Sequence, residues 1–198
     1  MNYWMALIFA AFLAGCSAFP AQQTEQSHSY LLDAQLAGHA AQHKSDLPIA
    51  VSPPVAWPGF DTPQMAYLRK PLELEYFANH RWIDTPAHMI KPLLVQALEQ
   101  RFTAVSATPG TLKARLRLDT ELVRLQQDFT VKPSRIQLTV KARLVDVKDQ
   151  RLIAEQQFDE TETAASDDPY GGATAANRAL QRVLERLTEF CSNASSGQ

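Results

Sequence analysis

The chain has 198 residues, of which 45% are hydrophobic; this is enough for one domain with a single core and excludes a globally disordered protein. Its net charge of −2 does not indicate the excess of positive charge that is typical of nucleic-acid-binding domains, so we expect no nucleic-acid partner. Only two cysteines occur, Cys16 and Cys191, and a fold built on a disulfide framework is excluded if the first of them is modified.

The first predicted element is an unbroken apolar segment, residues 3–14. As a helix it would rise about 18 Å, too little for a hydrocarbon core of about 30 Å. It also lacks the polar face of a core helix, whereas its length and small-residue end are typical of a secretory leader. The sequence LAGC at 13–16 resembles a bacterial lipobox, in which Cys16 is acylated and the leader is removed before it. An ordinary cleaved leader with an incidental cysteine is the alternative.

Acylation at Cys16 predicts where the protein resides. Stable anchoring takes two membrane signals, which a multiply acylated cysteine supplies. The next residue is Ser17 and not Asp; by resemblance to Gram-negative lipoproteins, this favours the periplasmic face of the outer membrane over the inner membrane. We therefore expect a signal peptide over 1–15, the lipidated cysteine and a flexible tether over 16–27, a single periplasmic domain over 28–191 and a disordered tail over 192–198.

Short strands and turns are predicted for the first part of the domain. Residues 29–36 are predicted to form a strand. Residues 47–57 begin with a strand pattern, but two prolines predict that the rest forms an edge strand or an irregular segment. Residues 65–69 and 72–78 look like a hairpin.

A first amphipathic helix follows. Thr85 suits the N-cap and Pro86 the first helical position. Apolar residues then recur at helical spacing, at Ile90, Leu93, Leu94, Ala97 and Leu98. Pro92 lies inside this pattern and predicts a kink or a start delayed to about residue 91.

Three alternating segments, 112–129, 134–147 and 151–162, predict an antiparallel meander with one face in water. A slip of the alternation at Leu122 indicates a bulge. We expect the first two segments to share one register on both faces, because a shift by one residue would bury charges; a shift by two residues, which the bulge could cause, is the alternative. The predicted pairs are Leu118 with Leu144, Leu122 with Val140, Asp119 with Arg143 and Glu121 with Lys141.

The last predicted element is a helix over 172–191 with one apolar stripe that ends at Cys191. Together the elements predict an α+β fold, a mainly antiparallel sheet with two amphipathic helices packed on one face.

Few residues could carry chemistry. His39 and His43 have the spacing of metal ligands on a helix but lack further ligands nearby. His80 and His88 lie near an aspartate, with no nucleophile in that stretch. Cys191 is predicted to be a buried, inert thiol. The sequence therefore predicts a protein that is not an enzyme, with no catalytic residue, metal or cofactor; a secreted enzyme with a cleft of Asp, His and Ser is the alternative.

Two surface features could bind a partner. The Pro-rich segment VSPPVAWPGF carries Val55, Trp57 and Phe60 as candidate anchors, since aromatic residues are frequent at interfaces and prolines lower the cost of ordering; the alternative is that Trp57 fills the core. The basic outward residues of 113–117, with Lys141 and Arg143, could bind anionic lipid, or they could form a solvated strand face with cross-strand ion pairs.

Several stretches together resemble a known family. They are YLL at 30–32, FDTPQMAYL at 60–68 and EYFANHRWIDTPAHMIKPLLVQAL at 75–98. Their order is similar to that of the ABC-transporter auxiliary lipoproteins, the PqiC-like group. The matching positions are Asp61, Pro63, Tyr67, Phe77, Trp82 and Pro86. Pro92 departs from the family's pattern.

The resemblance implies a non-enzymatic component of an intermembrane lipid transport system that supports envelope integrity. Its implied partners are an MCE-domain protein and an inner-membrane transporter component, with the outer membrane held through the lipid anchor; a homo-oligomer is left open. An envelope-assembly lipoprotein that is not tied to transport is the alternative.

Overall fold

The computed structural model describes residues 26–34, 36, 44–108, 110 and 113–196, so the predicted leader, Cys16, Ser17, His39 and His43 lie outside the described residues. The described residues form nine strands and two helices. The strands are β1 (His28–Tyr30), β2 (Ile49–Val51), β3 (Val55–Ala56), β4 (Gln64–Lys70), β5 (Glu73–Trp82), β6 (Val105–Ser106), β7 (Leu116–Asp128), β8 (Arg135–Asp146) and β9 (Arg151–Thr163). The helices are α1 (Pro86–Leu98) and α2 (Pro169–Ser195).

The long strand β7 organises the sheet. One edge pairs antiparallel with β8, which pairs antiparallel with β9. The other edge pairs in parallel with three strands in succession, β2, β3 and β4. The sheet is completed by β5 antiparallel to β4, by β1 parallel to β5 and by β6 parallel to β2. The sheet is therefore mixed, and the prediction of a mainly antiparallel sheet is wrong for the β1–β6 half. Alternating side chains report which face is buried, but not the direction of the neighbouring strand.

The strands of the first part of the domain differ from the predicted ones at two places, and prolines explain the difference in the Pro-rich segment. Residues 47–57 form two short strands, because Pro53 and Pro54 have no N–H to donate to β7. The backbone resumes contact with β7 on either side, through Ser52 N to Leu118 O and Trp57 N to Leu122 O, both 2.9 Å. The predicted first strand is reduced to the three residues of β1.

The predicted meander register is confirmed. Leu118 pairs with Leu144, Asp119 with Arg143, Glu121 with Lys141 and Leu122 with Val140. The register shifts between Leu122 and Arg124, which confirms the predicted bulge. The β4–β5 hairpin also forms as predicted, with the turn at residues 71 and 72.

Helix α1 begins at Pro86 and continues through Pro92, so the start is not delayed. Thr85 is at the N-cap, but its side chain makes no capping bond and its Oγ1 is buried without a partner. The carboxylate of Asp84 instead accepts a bond from Thr85 N at 2.6 Å. The apolar stripe of α1 is buried as predicted.

Helix α2 extends beyond its predicted bounds of 172–191 at both ends. It begins at Pro169, and Asp168 caps it by accepting a bond from Gly171 N at 2.7 Å. Gly171 and Gly172 lie in its first turn, where a Cβ would collide with Ser166 O and Gln127 Oε1 respectively. At the other end, residues 192–195 are helical, so the predicted disordered tail is wrong for these residues.

The core lies between the two helices and one face of the sheet. Ile90 of α1 and Leu180 of α2 meet Leu125 of β7 and Leu138 of β8 around a common small space. The alternate residues of β8 on this face are all buried: Ile136, Leu138, Val140, Ala142 and Leu144. Both helices therefore cover the same face of the sheet. The charged cross-strand pairs of β7 and β8 lie on the opposite face.

Candidate interaction surface

The face of the sheet opposite the helices carries charged side chains from three neighbouring strands. We call it the polar face and define it by Asp119 and Glu121 of β7, Lys141 and Arg143 of β8, and Glu155 of β9. Strand alternation places these side chains on one side, because their neighbours along each strand point to the core.

The ion pairs of the polar face differ from the predicted ones. Lys141 Nζ is 3.0 Å from Glu155 Oε1, and Arg143 Nε is 2.7 Å from Glu155 Oε2. Hydrogen bonds from Lys141 and Arg143 lower the pKa of the Glu155 carboxyl. The two basic residues therefore sit opposite the predicted acids but bond to β9. This arrangement is that of a solvated strand face with ion pairs, and it neutralises much of the basic patch considered for anionic lipid.

The Pro-rich segment lies beside the polar face. Val55 pairs with Glu121 and is 59% exposed, and Trp57 is 48% exposed. Trp57 Nε1 donates to Glu121 Oε1 at 2.7 Å. Trp57 therefore does not fill the core; the bond to Glu121 orients an exposed indole next to the charged rungs.

Phe60, the third candidate anchor, is partly buried and lines an open pocket of about 460 Å³. Leu68 of β4 and Leu74 of β5 line the same pocket, and Arg124 and Gln126 of β7 form its polar side. This pocket was not predicted from the sequence. The available signal was the turn Lys70-Pro71-Leu72-Glu73, where a large apolar residue takes a turn position at which Gly or Asn is usual.

The predicted aromatic stretch divides between core and surface. Trp82 is buried. Phe77 packs on Tyr67 with ring centroids 4.3 Å apart, and Tyr76 OH donates to Gly59 O at 3.0 Å. Trp82 therefore belongs to the core, while Tyr76 fixes the turn that follows Trp57.

The described histidines have structural contacts. His80 Nδ1 is 2.9 Å from Tyr30 OH, and its ring stacks on His28 at 5.0 Å. Burial and the neighbouring His28 lower the pKa of His80, against an opposing effect of Asp168. His88 Nδ1 is 3.4 Å from Asp84 Oδ1 on an exposed surface.

Cys191 lies on the buried stripe of α2. Burial raises the pKa of its thiol to about 12, which suppresses the thiolate form that nucleophilic chemistry needs. Within residues 26–34, 36, 44–108, 110 and 113–196, no three His, Cys, Asp or Glu side chains are arranged to hold a metal ion. In the same part of the chain, no helix combines the length and apolar character needed to span a membrane.

The described residues form a two-helix, mixed-sheet domain with an exposed polar face on the side of the sheet opposite the helices. Comparison with known families identifies the class. The family model described as "ABC-type transport auxiliary lipoprotein component" matches residues 30–188. The chain therefore belongs to the ABC-type transport auxiliary lipoprotein family, as the sequence resemblance predicted.

Solved structures share the fold at low sequence identity. A protein of the DUF330 family model from Xanthomonas campestris is 20% identical with a TM-score of 0.76, over 85% of this chain and 96% of that one. An uncharacterized protein is 11% identical with a TM-score of 0.68, over 83% and 98%. PelC from Paraburkholderia phytofirmans, crystallised as a dodecamer, is 15% identical with a TM-score of 0.47, over 73% and 92%, and supports no inference about this chain. No curated protein matches the chain.

Proposed function

We propose that the protein is a lipid-anchored, non-enzymatic component of an intermembrane lipid transport system that supports envelope integrity. In this proposal Cys16 carries the acyl chains and Ser17 directs the protein to the periplasmic face of the outer membrane. The domain then binds an MCE-domain protein that is linked to an inner-membrane transporter. Membership of the auxiliary lipoprotein family supports this assignment.

The exposed Trp57 is the observation that carries the binding role. A tryptophan with about half its surface in water is costly to leave uncovered, yet a bond to Glu121 holds this one in place. Val55 lies alongside on the same strand face, and Phe60 leads into the pocket. An exposed aromatic held by a hydrogen bond and surrounded by charged rungs has the character of an interface anchor.

Co-purification of the MCE-domain protein tests this role. Trp57→Ala should abolish retention of that protein while leaving the melting temperature unchanged, because Trp57 contributes little to the core. Ile83→Ala is the matched control, since Ile83 is 57% exposed and lies away from the polar face at the start of α1. Normal retention by Trp57→Ala would remove this surface from the proposal.

The anchor requires a separate test. Cys16→Ser should leave an unacylated protein that no longer fractionates with the outer membrane. Mass spectrometry of the N-terminal peptide from the native protein should show acylation. If the protein is acylated and retained at the outer membrane but captures no MCE-domain protein, the alternative of an envelope-assembly lipoprotein replaces the transport role.

A further inference from the structure

Three loops and turns meet at one end of the sheet. They are Pro71 and Leu72 of the β4–β5 turn, residues 129–134 between β7 and β8, and Pro169 with Tyr170 at the start of α2; together we call them the loop end. Phe129 N donates to Leu68 O at 2.8 Å, which joins the first two. Ser134 N donates to Asp167 Oδ1 at 2.6 Å, which joins the second to the third.

The loop end exposes large apolar side chains. Leu72 is fully exposed, Tyr170 is 68% exposed and Val131 is 37% exposed. Leu72 also has a φ of +68°, a left-handed conformation that L-residues with branched side chains rarely adopt. A strained backbone that holds an apolar side chain out in water is an arrangement expected at a binding site.

Charges at the loop end are basic or already engaged. Lys70 and Lys132 flank the apolar side chains along the chain. The acidic neighbours are paired: Glu73 Oε2 is 3.3 Å from Lys70 Nζ in an exposed ion pair, and Asp167 accepts the bond from Ser134 N and interacts with Lys132. The exposed leucine, valine and tyrosine side chains thus lie among charges that pair with one another, and apolar and tyrosine side chains of this kind suit a lipid interface.

The first strand of the domain begins within a chain of ring contacts that reaches the loop end. Strand β1 runs parallel to β5, and its first residue, His28, pairs with His80. The ring contacts join His28 to His80 at 5.0 Å, His80 to Phe77 at 6.0 Å, and Phe77 to Phe129 at 6.2 Å.

The length of chain between anchor and domain permits contact with the membrane. Twelve residue steps separate Cys16 from His28 and span at most about 40 Å. We propose that the loop end is a second membrane contact, which inserts Leu72, Val131 and Tyr170 into the headgroup region of the leaflet that holds the acyl chains. This inference rests on the proposed lipid anchor.

Site-selective labelling tests the contact in the anchored protein. Cys191 is buried, so a maleimide fluorophore on the folded lipoprotein reacts with an introduced cysteine. Leu72→Cys reports on the loop end. Leu152→Cys is the matched control, because Leu152 is an exposed leucine, 51% accessible, beside the β8–β9 turn at the other end of the sheet. The labelled lipoproteins are reconstituted in vesicles of phosphatidylethanolamine and phosphatidylglycerol that contain brominated acyl chains.

The label at position 72 should shift to the blue and lose about half of its fluorescence, as for a group near the acyl boundary, and the label at position 152 should not change. Equal responses at the two positions would overturn the inference. So would quenching at position 72 that requires the MCE-domain protein.

A second variant separates insertion from mere proximity. Asn adopts a positive φ readily, so Leu72→Asn should fold at least as well as the native chain. In that background a label on Val131→Cys should lose most of its quenching, whereas Leu152→Asn should leave it intact. Unchanged quenching in the Leu72→Asn background would overturn the inserted role of Leu72. Acylation of the same preparations is checked by mass spectrometry, so an absent anchor is distinguished from an absent contact.

Discussion

The two faces of the β7–β8 ladder use the same register for different purposes. On the core face, Leu118 and Leu144 form a rung and are completely buried. One residue further along, Asp119 and Arg143 form a rung on the polar face, and each bonds to another partner. Burial therefore excludes a one-residue slip, because such a slip would move leucines into water and charges into the core. The pairing of the charges on the polar face is not needed to exclude it.

The largest expected effect tests this division on adjacent residues of β8. Leu144→Ala should lower the free energy of unfolding by about 2–5 kcal/mol, because it leaves a cavity beneath the helices. Arg143→Ala, next to it on the polar face, should produce no resolvable change. Urea unfolding of both variants gives the comparison. Comparable losses for the two would show that the polar face contributes to stability as much as the core face.

The next effect concerns the contact between α2 and β7. Gly172→Ala should lower the free energy of unfolding by about 1–3 kcal/mol, because its Cβ would collide with the buried Gln127. Helix propensity alone predicts the opposite sign, with Ala favoured over Gly by about 1 kcal/mol. Thermal and urea unfolding decide between the two. Gln181→Ala, on the outer side of the same helix, is the control and should be neutral or slightly stabilising.

Asp128 lies on the polar side of β7 but is almost completely buried. Its carboxylate accepts bonds from Thr130 N at 2.9 Å and Arg135 Nε at 3.1 Å. Burial raises its pKa, but the bonds from Thr130 and Arg135 outweigh burial and lower the pKa overall. A lowered pKa gives a stabilisation that is present above the unfolded value of about 3.9 and is lost as the pH falls through the folded value.

Asp128→Asn should therefore lower the free energy of unfolding by about 1–2 kcal/mol at neutral pH. It should also flatten the acid limb of the stability profile below about pH 4. Unfolding measured from pH 3 to pH 7 tests both effects. Asp61→Asn, an exposed carboxylate, is the control and should leave the profile unchanged. If Asp128→Asn had the same free energy of unfolding at neutral pH as the native chain, the polar side of β7 would tolerate substitution even at its buried position.

Much of the meander could be predicted from the sequence because its alternation is long. The register of β7 with β8 and the bulge after Leu122 follow from the requirement to bury one face. The parallel pairing of β2, β3 and β4 along β7 could not be predicted, since these strands are short and their partners are distant in sequence. The early start of α2 was missed because Gly171 and Gly172 suggest a loop, whereas close packing against Ser166 and Gln127 requires them.

The surface was predicted less completely than the core. The Pro-rich segment identified Trp57 and Val55, since stiff, aromatic segments are frequent at interfaces. The sequence did not reveal that they lie beside Glu121, because this depends on the parallel β3–β7 pairing. The cross-strand neighbours of Lys141 and Arg143 on β7 were predicted correctly, but their ion pairs with Glu155 of β9 were not. A strand in the middle of a sheet has two neighbours, and pattern alone does not choose between them.

The smallest expected effect tests that choice of partner. Glu155→Gln removes the acid that Lys141 and Arg143 both contact on β9. Because exposed pairs contribute little and are screened by salt, the free energy of unfolding should not change measurably. The two cations should instead turn to Glu121 and Asp119, which lie opposite them on β7. Trp57 reports this, since its indole N–H bonds to Glu121 and its NMR resonance should shift once Lys141 competes for that carboxylate. Glu185→Gln on α2 is the control and should leave the indole resonance in place. If the indole resonance does not move in Glu155→Gln, then contact with Glu155 is not the reason that Lys141 makes no ion pair with Glu121.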